Sequence, residues 1–382
     1  MSAEVKLGYK QTEVGVIPED WDVSKLGAIT TYKNGKAHEK HIEDFGHYVV
    51  VNSKFISTEG EVRKYAADCF CSTQVGDVLM VMSDVPNGRA IAKCFLVEGA
   101  DNYTVNQRIC VLSPTQIEGK LLFYLLDRNK YYLAFDDGAK QTNLKKIDVL
   151  ACPLAIPPLS KEQRAIAAAL SDVDALLAKL DQLIAKKREL KQAAMQQLLT
   201  GQIRLPGYHG KWELKRLGRV APLQRGFDLP NPQLRQGPYP VVYSNGILNH
   251  HAAFQVTGPG VVTGRSGTIG KVTFVENDFW PHNTSLWVTS FIGNDSKFVF
   301  YLYTWLGLER FATGSGVPTL NRNDVHAFEV LIPLTAKEQT AIATVLSDMD
   351  AEIATLETRR NKTHALKQGM MQELLTGRIR LV

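Results

Sequence analysis

Lys161-Glu162-Gln163-Arg164-Ala165-Ile166-Ala167-Ala168-Ala169-Leu170-Ser171-Asp172 and Lys337-Glu338-Gln339-Thr340-Ala341-Ile342-Ala343-Thr344-Val345-Leu346-Ser347-Asp348 are one stretch written twice, 176 residues apart. The offset persists without a gap. Leu190-Lys191-Gln192 matches Leu366-Lys367-Gln368, Leu198-Leu199-Thr200-Gly201 matches Leu374-Leu375-Thr376-Gly377, and Ile203-Arg204-Leu205 matches Ile379-Arg380-Leu381. In both copies apolar residues fall at steps of four and three. Ile166, Leu170, Val173, Leu177, Leu180 and Ile184 form one series, and Ile342, Leu346, Met349, Ile353 and Leu356 the other. This spacing lays an apolar stripe along one helix face, as in a coiled-coil seam. Ser160-x-x-Gln163 and Thr335-x-x-Glu338 have the form of capping boxes, and Gly201 and Gly377 stand where a helix would stop. A helix from Lys161 to Leu199 is roughly 58 Å long at about 1.5 Å per residue. Two helices with matching stripes are expected to pack together, antiparallel.

A weaker repeat runs at an offset of 191. Trp21-x-Val23-x-Lys25-Leu26-Gly27 is similar to Trp212-x-Leu214-x-Arg216-Leu217-Gly218, and Gly35 aligns with Gly226. Tyr48, Val50, Val51 and Ile56 align with Tyr239, Val241, Val242 and Ile247. Beyond these anchors the halves diverge. Short apolar runs at 48–51, 78–82, 261–263 and 286–289, between Gly, Asn and Asp turns, read as strands. The expected fold class is α+β: two mixed α/β domains separated by two long antiparallel helices, with an internal pseudo-two-fold repeat. The boundaries are 1–156 and 206–332 for the domains, 157–205 and 333–382 for the helical spacers.

Composition narrows the function classes. Hydrophobic residues make up 45% and charged residues 22% of the 382, which is ordinary for a globular protein. No run approaches the roughly 20 apolar residues of a membrane span, and the N-terminus lacks a signal-peptide pattern, so a cytoplasmic protein without membrane partners is expected. All five cysteines lie in the first part, without zinc-site spacing, and are expected to be buried reduced thiols. The net charge of +5 is mildly basic, but residues 1–150 carry 18 basic against 20 acidic side chains and residues 205–332 carry 11 against 8. Any nucleic-acid surface must be a local face.

No lone enzyme site is legible. Gly264-Arg265-Ser266-Gly267-Thr268-Ile269-Gly270-Lys271 is like a phosphate loop, but Arg265 replaces the first glycine and Val272 follows the lysine. Asp228-Leu229-Pro230-Asn231-Pro232 has the letters of an amino-methyltransferase box in the wrong order, and His250-His251 lacks a helical metal partner. No catalytic or metal-binding residue is therefore expected.

The order of variable domain, helix, variable domain, helix resembles the specificity subunits of type I restriction–modification systems, over essentially the whole chain. Residues 157–163, 198–201 and 262–271 are similar to that family's recurring stretches. The first domain departs from the third of these, with Val81-Met82-Ser83-Asp84-Val85-Pro86-Asn87-Gly88-Arg89 in its place. The resemblance implies that each variable domain is a target-recognition domain reading one half of a split site in double-stranded DNA. The helices would act as a ruler between the halves and as part of the docking surface for two modification subunits. Those partners would bind S-adenosylmethionine, and the restriction subunits ATP; this chain would bind no cofactor.

Direct readout needs Arg, Lys, Asn or Gln on loops at base edges. Arg265, Lys271, Asn321 and Arg322 are the candidates in the second domain, and Lys54, Arg89, Lys140 and Asn143 in the first. Two other readings share the architecture. One is the recognition subunit of a type II-like restriction–methylation enzyme, which differs in its partner. The other is a coiled-coil adaptor that never touches DNA and would lack salt-dependent binding to duplex. An unrecognised enzyme is the third.

Overall fold

The structure, a computed structural model, describes residues 7–38, 40–85, 88–99, 102–314 and 318–381. It divides into two compact units, residues 1–179 with 360–382 and residues 180–359. The two long helices, Ser160–Leu199 and Ala336–Leu374, each contribute one part to each unit.

In the first unit a four-stranded antiparallel sheet runs in the order Thr30–Asn34, Ile109–Pro114, Val78–Val81, Cys94–Leu96. Its central strand Val78–Val81 is buried on both faces. Val78 and Met80 enter one apolar cluster and Leu79 and Val81 the other, as the two-residue period of a strand requires. Beside it, Tyr103–Val105 pairs in parallel with Tyr48–Val51, which also pairs with Tyr65–Ala66. Asp22–Lys25 pairs antiparallel with Pro153–Ile156 just before the first long helix.

The second unit repeats this plan. Leu223–Arg225, Ser285–Val288, Gly260–Gly264 and Val272–Val275 form the four-stranded sheet. Tyr239–Tyr243 pairs in parallel with Trp280–Pro281 and antiparallel with Gly246–His251. Trp212–Arg216 pairs with Glu329–Pro333 before the second long helix. The repeat thus persists through segments whose sequences diverged.

The stripe residues are placed as follows. Ile166 and Leu170 lie in the first unit's main cluster with Leu121, Leu122 and Leu374, so they face their own domain and the other helix together. Ile342 and Leu346 do the same in the second unit, with Leu198, Leu199 and Leu302. Leu180, Ile184 and Ile353 are buried, while Val173, Leu177, Met349 and Leu356 are half-buried. Ion pairs fix the direction. In the second unit Lys187 pairs with Glu352 and Lys191 with Asp350; in the first, Lys367 pairs with Asp174. Partners descend along one helix as they ascend along the other, so the packing is antiparallel.

The expected capping boxes are not what Gln163 and Glu338 build. Gln163 Oε1 accepts from the Glu118 N–H at 2.9 Å and its amide donates to the Pro157 carbonyl at 2.8 Å. Gln339, its repeat equivalent, accepts from the Asp295 N–H and donates to the Pro333 carbonyl. Each glutamine therefore tethers a helix start to its domain. Gly201 and Gly377 do end the helices, at φ of 71° and 69°, the left-handed conformation that a β-carbon disfavours. None of the five cysteines is in a disulfide; four are buried, but Cys69 is exposed, contrary to expectation, in a stretch outside any strand or helix.

Candidate nucleic-acid interface

The reversed chain after each glycine stop returns an arginine to the start of the opposite helix. Arg380 Nη2 donates to Glu162 Oε2 at 2.8 Å in the first unit, and Arg204 Nη2 to Glu338 Oε2 at 2.8 Å in the second. Both glutamates are buried, and both guanidinium groups lie over an indole, Trp21 or Trp212. Trp212 Nε1 also donates to Glu338, whereas Trp21 Nε1 has no hydrogen-bond partner among the described residues and Arg380 reaches Asp20 instead. The Arg380 hydrogen bond holds the Asp20 carboxyl below its usual range. A second duplicated contact links each domain to both helices. Tyr124 donates to Asp174 at 2.7 Å, and Tyr301 to Asp350 at 2.8 Å, the same carboxylates that pair with Lys367 and Lys191. Burial, then the carboxylate bond, pushes both phenols well above their ordinary range. Sequence reading did not single out these charges. The signal was the shared offset of 176, which relates Glu162 to Glu338, Asp174 to Asp350 and Arg204 to Arg380.

Most of the candidate DNA-contacting residues fall on adjoining loops, strand ends and helix starts of their own unit, and Lys54 does not. In the second unit the Arg265 N–H donates to the Thr284 carbonyl at 2.9 Å and its own carbonyl accepts from Leu320 at 2.8 Å, which brings Asn321 alongside. Lys271 donates to the Asn245 carbonyl at 2.6 Å, so it ties two turns together. Asn321 caps the helix Arg322–Ala327, and Arg322 is exposed on that helix. In the first unit Ser83–Asp84 pairs with Thr142–Asn143. Asp84 accepts the N–H groups of Val85, Ala90 and Ile91, shaping the loop that carries Arg89; Pro86 and Asn87 lie outside the described residues. Arg89, Lys140 and Asn143 are exposed on these adjoining segments, while Lys54 is exposed on the separate short helix Ser53–Ser57. Extending the 176 offset backwards pairs Leu144 with Leu320 and Val149 with Val325. This places the exposed Lys145 and Lys146 opposite Asn321 and Arg322, a pair that sequence reading missed.

His251, one of the paired histidines, spends its ring on the Arg235 backbone and the edge of Trp280. Among the described residues no cluster of His, Cys, Asp or Glu is placed to hold a metal, and no helix is long and apolar enough to cross a membrane.

Two copies of one scaffold, joined by paired helices and bearing polar loops, define a two-module recognition protein. The chain belongs to the type I restriction modification DNA specificity domain family, whose pattern matches residues 18–192 and again 209–364. It is 24% identical to a Methanocaldococcus jannaschii protein assigned as the MjaX type I restriction enzyme specificity subunit, covering 98% of this chain and 97% of that one. The MjaVIII specificity subunit of the same organism is 26% identical over 52% of this chain and 49% of its own length. A type I restriction–modification S subunit from M. genitalium has the same fold, with a TM-score of 0.65 at 16% identity over 93% of this chain and 96% of that one. A chain from a structure describing complex assembly of the type I system gives 0.56 at 17% identity, covering 95% and 99%.

Proposed function

We propose that this chain reads a bipartite site in double-stranded DNA, one half per unit, and directs two modification subunits and the ATP-dependent restriction subunits to it. One observation carries the reading: the two units share strand order and helix contacts, yet their polar loops carry different residues. A shared scaffold with different loops suits two different half-sites. In this reading the long helices set the number of unspecified base pairs between the halves. S-adenosylmethionine and ATP belong to the partners, and this chain supplies no catalytic group.

The test is a genome-wide map of adenine methylation in cells with and without this chain. The expected result is a methylated motif of two unlike half-sites with a fixed gap, present only with the chain. An unchanged methylation map would refute the reading, and methyl transfer or ATP hydrolysis by the purified chain alone would refute its non-catalytic role.

A further inference from the structure

Two segments meet in the same way in both units although their side chains differ. In the second unit the chain leaves the strand Leu223–Arg225 through Gly226, whose N–H donates to the Ser285 carbonyl at 3.0 Å. In the first it leaves Thr30–Asn34 through Gly35, whose N–H donates to the Ile109 carbonyl at 2.9 Å. Neither glycine has room for a side chain: a β-carbon would collide with the His282 carbonyl oxygen in one unit and with that of Asn106 in the other. The facing turns are also alike. Ser285 N–H donates to the His282 carbonyl at 2.9 Å, and Ile109 N–H to the Asn106 carbonyl at 3.0 Å. The backbone is fixed in both, but the residues it displays are Arg225 and Asn283 in one unit and Asn34, Gln107 and Arg108 in the other.

In the second unit the display is pre-organised. Asp228 Oδ1 accepts from Arg225 Nη2 at 3.2 Å and from the Asn283 amide; Arg225 and Asp228 stay more than half exposed, while Asn283 is half-buried. One edge of the guanidinium is anchored and the other is left to the solvent. Arginine reads guanine O6 and N7 through such a fork, and Asn or Gln reads adenine N6 and N7. We infer that this junction is the base-reading site of each unit. Arg225, positioned by Asp228, reads a guanine in the half-site of the second unit, and the equivalent junction of the first unit reads the other half-site. The inference rests on the DNA-reading function proposed above.

The experiment uses the full chain assembled with its modification subunits, on a duplex pool randomised across both half-sites. Arg225→Ala is expected to relax preference at one G·C position by about five- to 150-fold, leaving the other half-site intact. Arg225→Lys should relax the same position, because it keeps the charge and loses the fork. Asp228→Asn should do so more weakly at an unchanged salt slope. Uniform weakening over all sequences, with Arg225→Lys behaving as wild type, would make Arg225 a phosphate contact and overturn the assignment. Unchanged preference in Arg225 variants with wild-type melting would overturn it equally. A wild-type complex with no sequence preference at all would instead overturn the DNA-reading function itself.

Discussion

Glu162 and Glu338 show how a single side chain can secure a helix pair. A carboxylate removed from water is costly unless its oxygens are matched by donors, and an arginine fork matches two at once. Truncating the arginine leaves the acid buried without a counter-charge, with only the Trp212 indole N–H still donating to Glu338 in the second unit, so Arg204→Ala is expected to destabilise that unit by about 3–5 kcal/mol. Arg380→Ala should act likewise on the first unit, while Glu162→Gln, which removes the buried charge, should cost less than Arg380→Ala. Urea unfolding of the full chain measures both; equal costs for Glu162→Gln and Arg380→Ala would show that a stranded charge is not what weakens the arginine variant. His326 provides a pH-dependent counterpart. Its Nε2 accepts the Leu223 N–H at 2.7 Å, and burial, then the nearby Arg322 charge, lowers its pKa. The unfolded chain therefore binds a proton more readily, beginning near the ordinary histidine value of about 6.5. Stability from this group is complete above that pH and is lost as pH falls through the lower folded value. His326→Gln, which keeps an acceptor without titrating, should flatten the loss of stability between about pH 7.5 and 5.5. An unaltered pH slope would show that His326 does not drive it.

At the scale of elements, the long helices were legible because their apolar period spans many turns and is written twice. What the period could not reveal is that each stripe faces different partners along its length. Near its start it meets its own domain, as Ile166 and Leu170 meet Leu121 and Leu122. Further along, residues such as Leu177 and Leu356 have less to cover them and are half-buried. The strands were legible as short apolar runs, but their parallel pairing and common order depend on contacts far apart in sequence. The polar clamps were hidden because an acid on a helix looks like a solvated face until its arginine is placed. The candidate interface was visible only as residue types on loops; the structure shows that Lys271 and Asn321 already serve local turns and caps. These differences in burial give a graded expectation. Leu170→Ala and Leu346→Ala should each cost about 2–5 kcal/mol, and Leu170→Asp more, since a carboxylate would be stranded in the cluster. Leu177→Ala, at a half-buried position, should cost clearly less. Thermal melting of the three alanine variants tests the gradient, and equal losses at Leu170 and Leu177 would contradict the burial pattern.

For the whole molecule, the proposed reading of one half-site per unit makes recognition exchangeable by parts, but the seams constrain the exchange. Replacing residues 206–332 with the matching domain of a relative should change one half of the recognition site and preserve the other. Several retained helix residues cross that seam, Glu338, Gln339 and Asp350 among them. Glu338 accepts from Trp212, Gln339 from the Asp295 N–H, and Asp350 from Tyr301. Of these three contacts only that to Asp295 uses backbone, so any donor domain with the same turn can supply it. The other two require an indole and a phenol at the equivalent positions. A donor domain that carries both should give a hybrid with wild-type melting and a methylation motif altered in one half only. A donor lacking the tyrosine should leave Asp350 with Lys191 alone, lowering the melting temperature of the hybrid, and Tyr301→Phe in the parent chain should reproduce that drop. Restoring tyrosine in the donor should recover stability without altering the new half-site. A hybrid whose two half-sites both change would break the modular reading, and full stability in a hybrid without the phenol would show that the Tyr301 contact does not secure domain to helix.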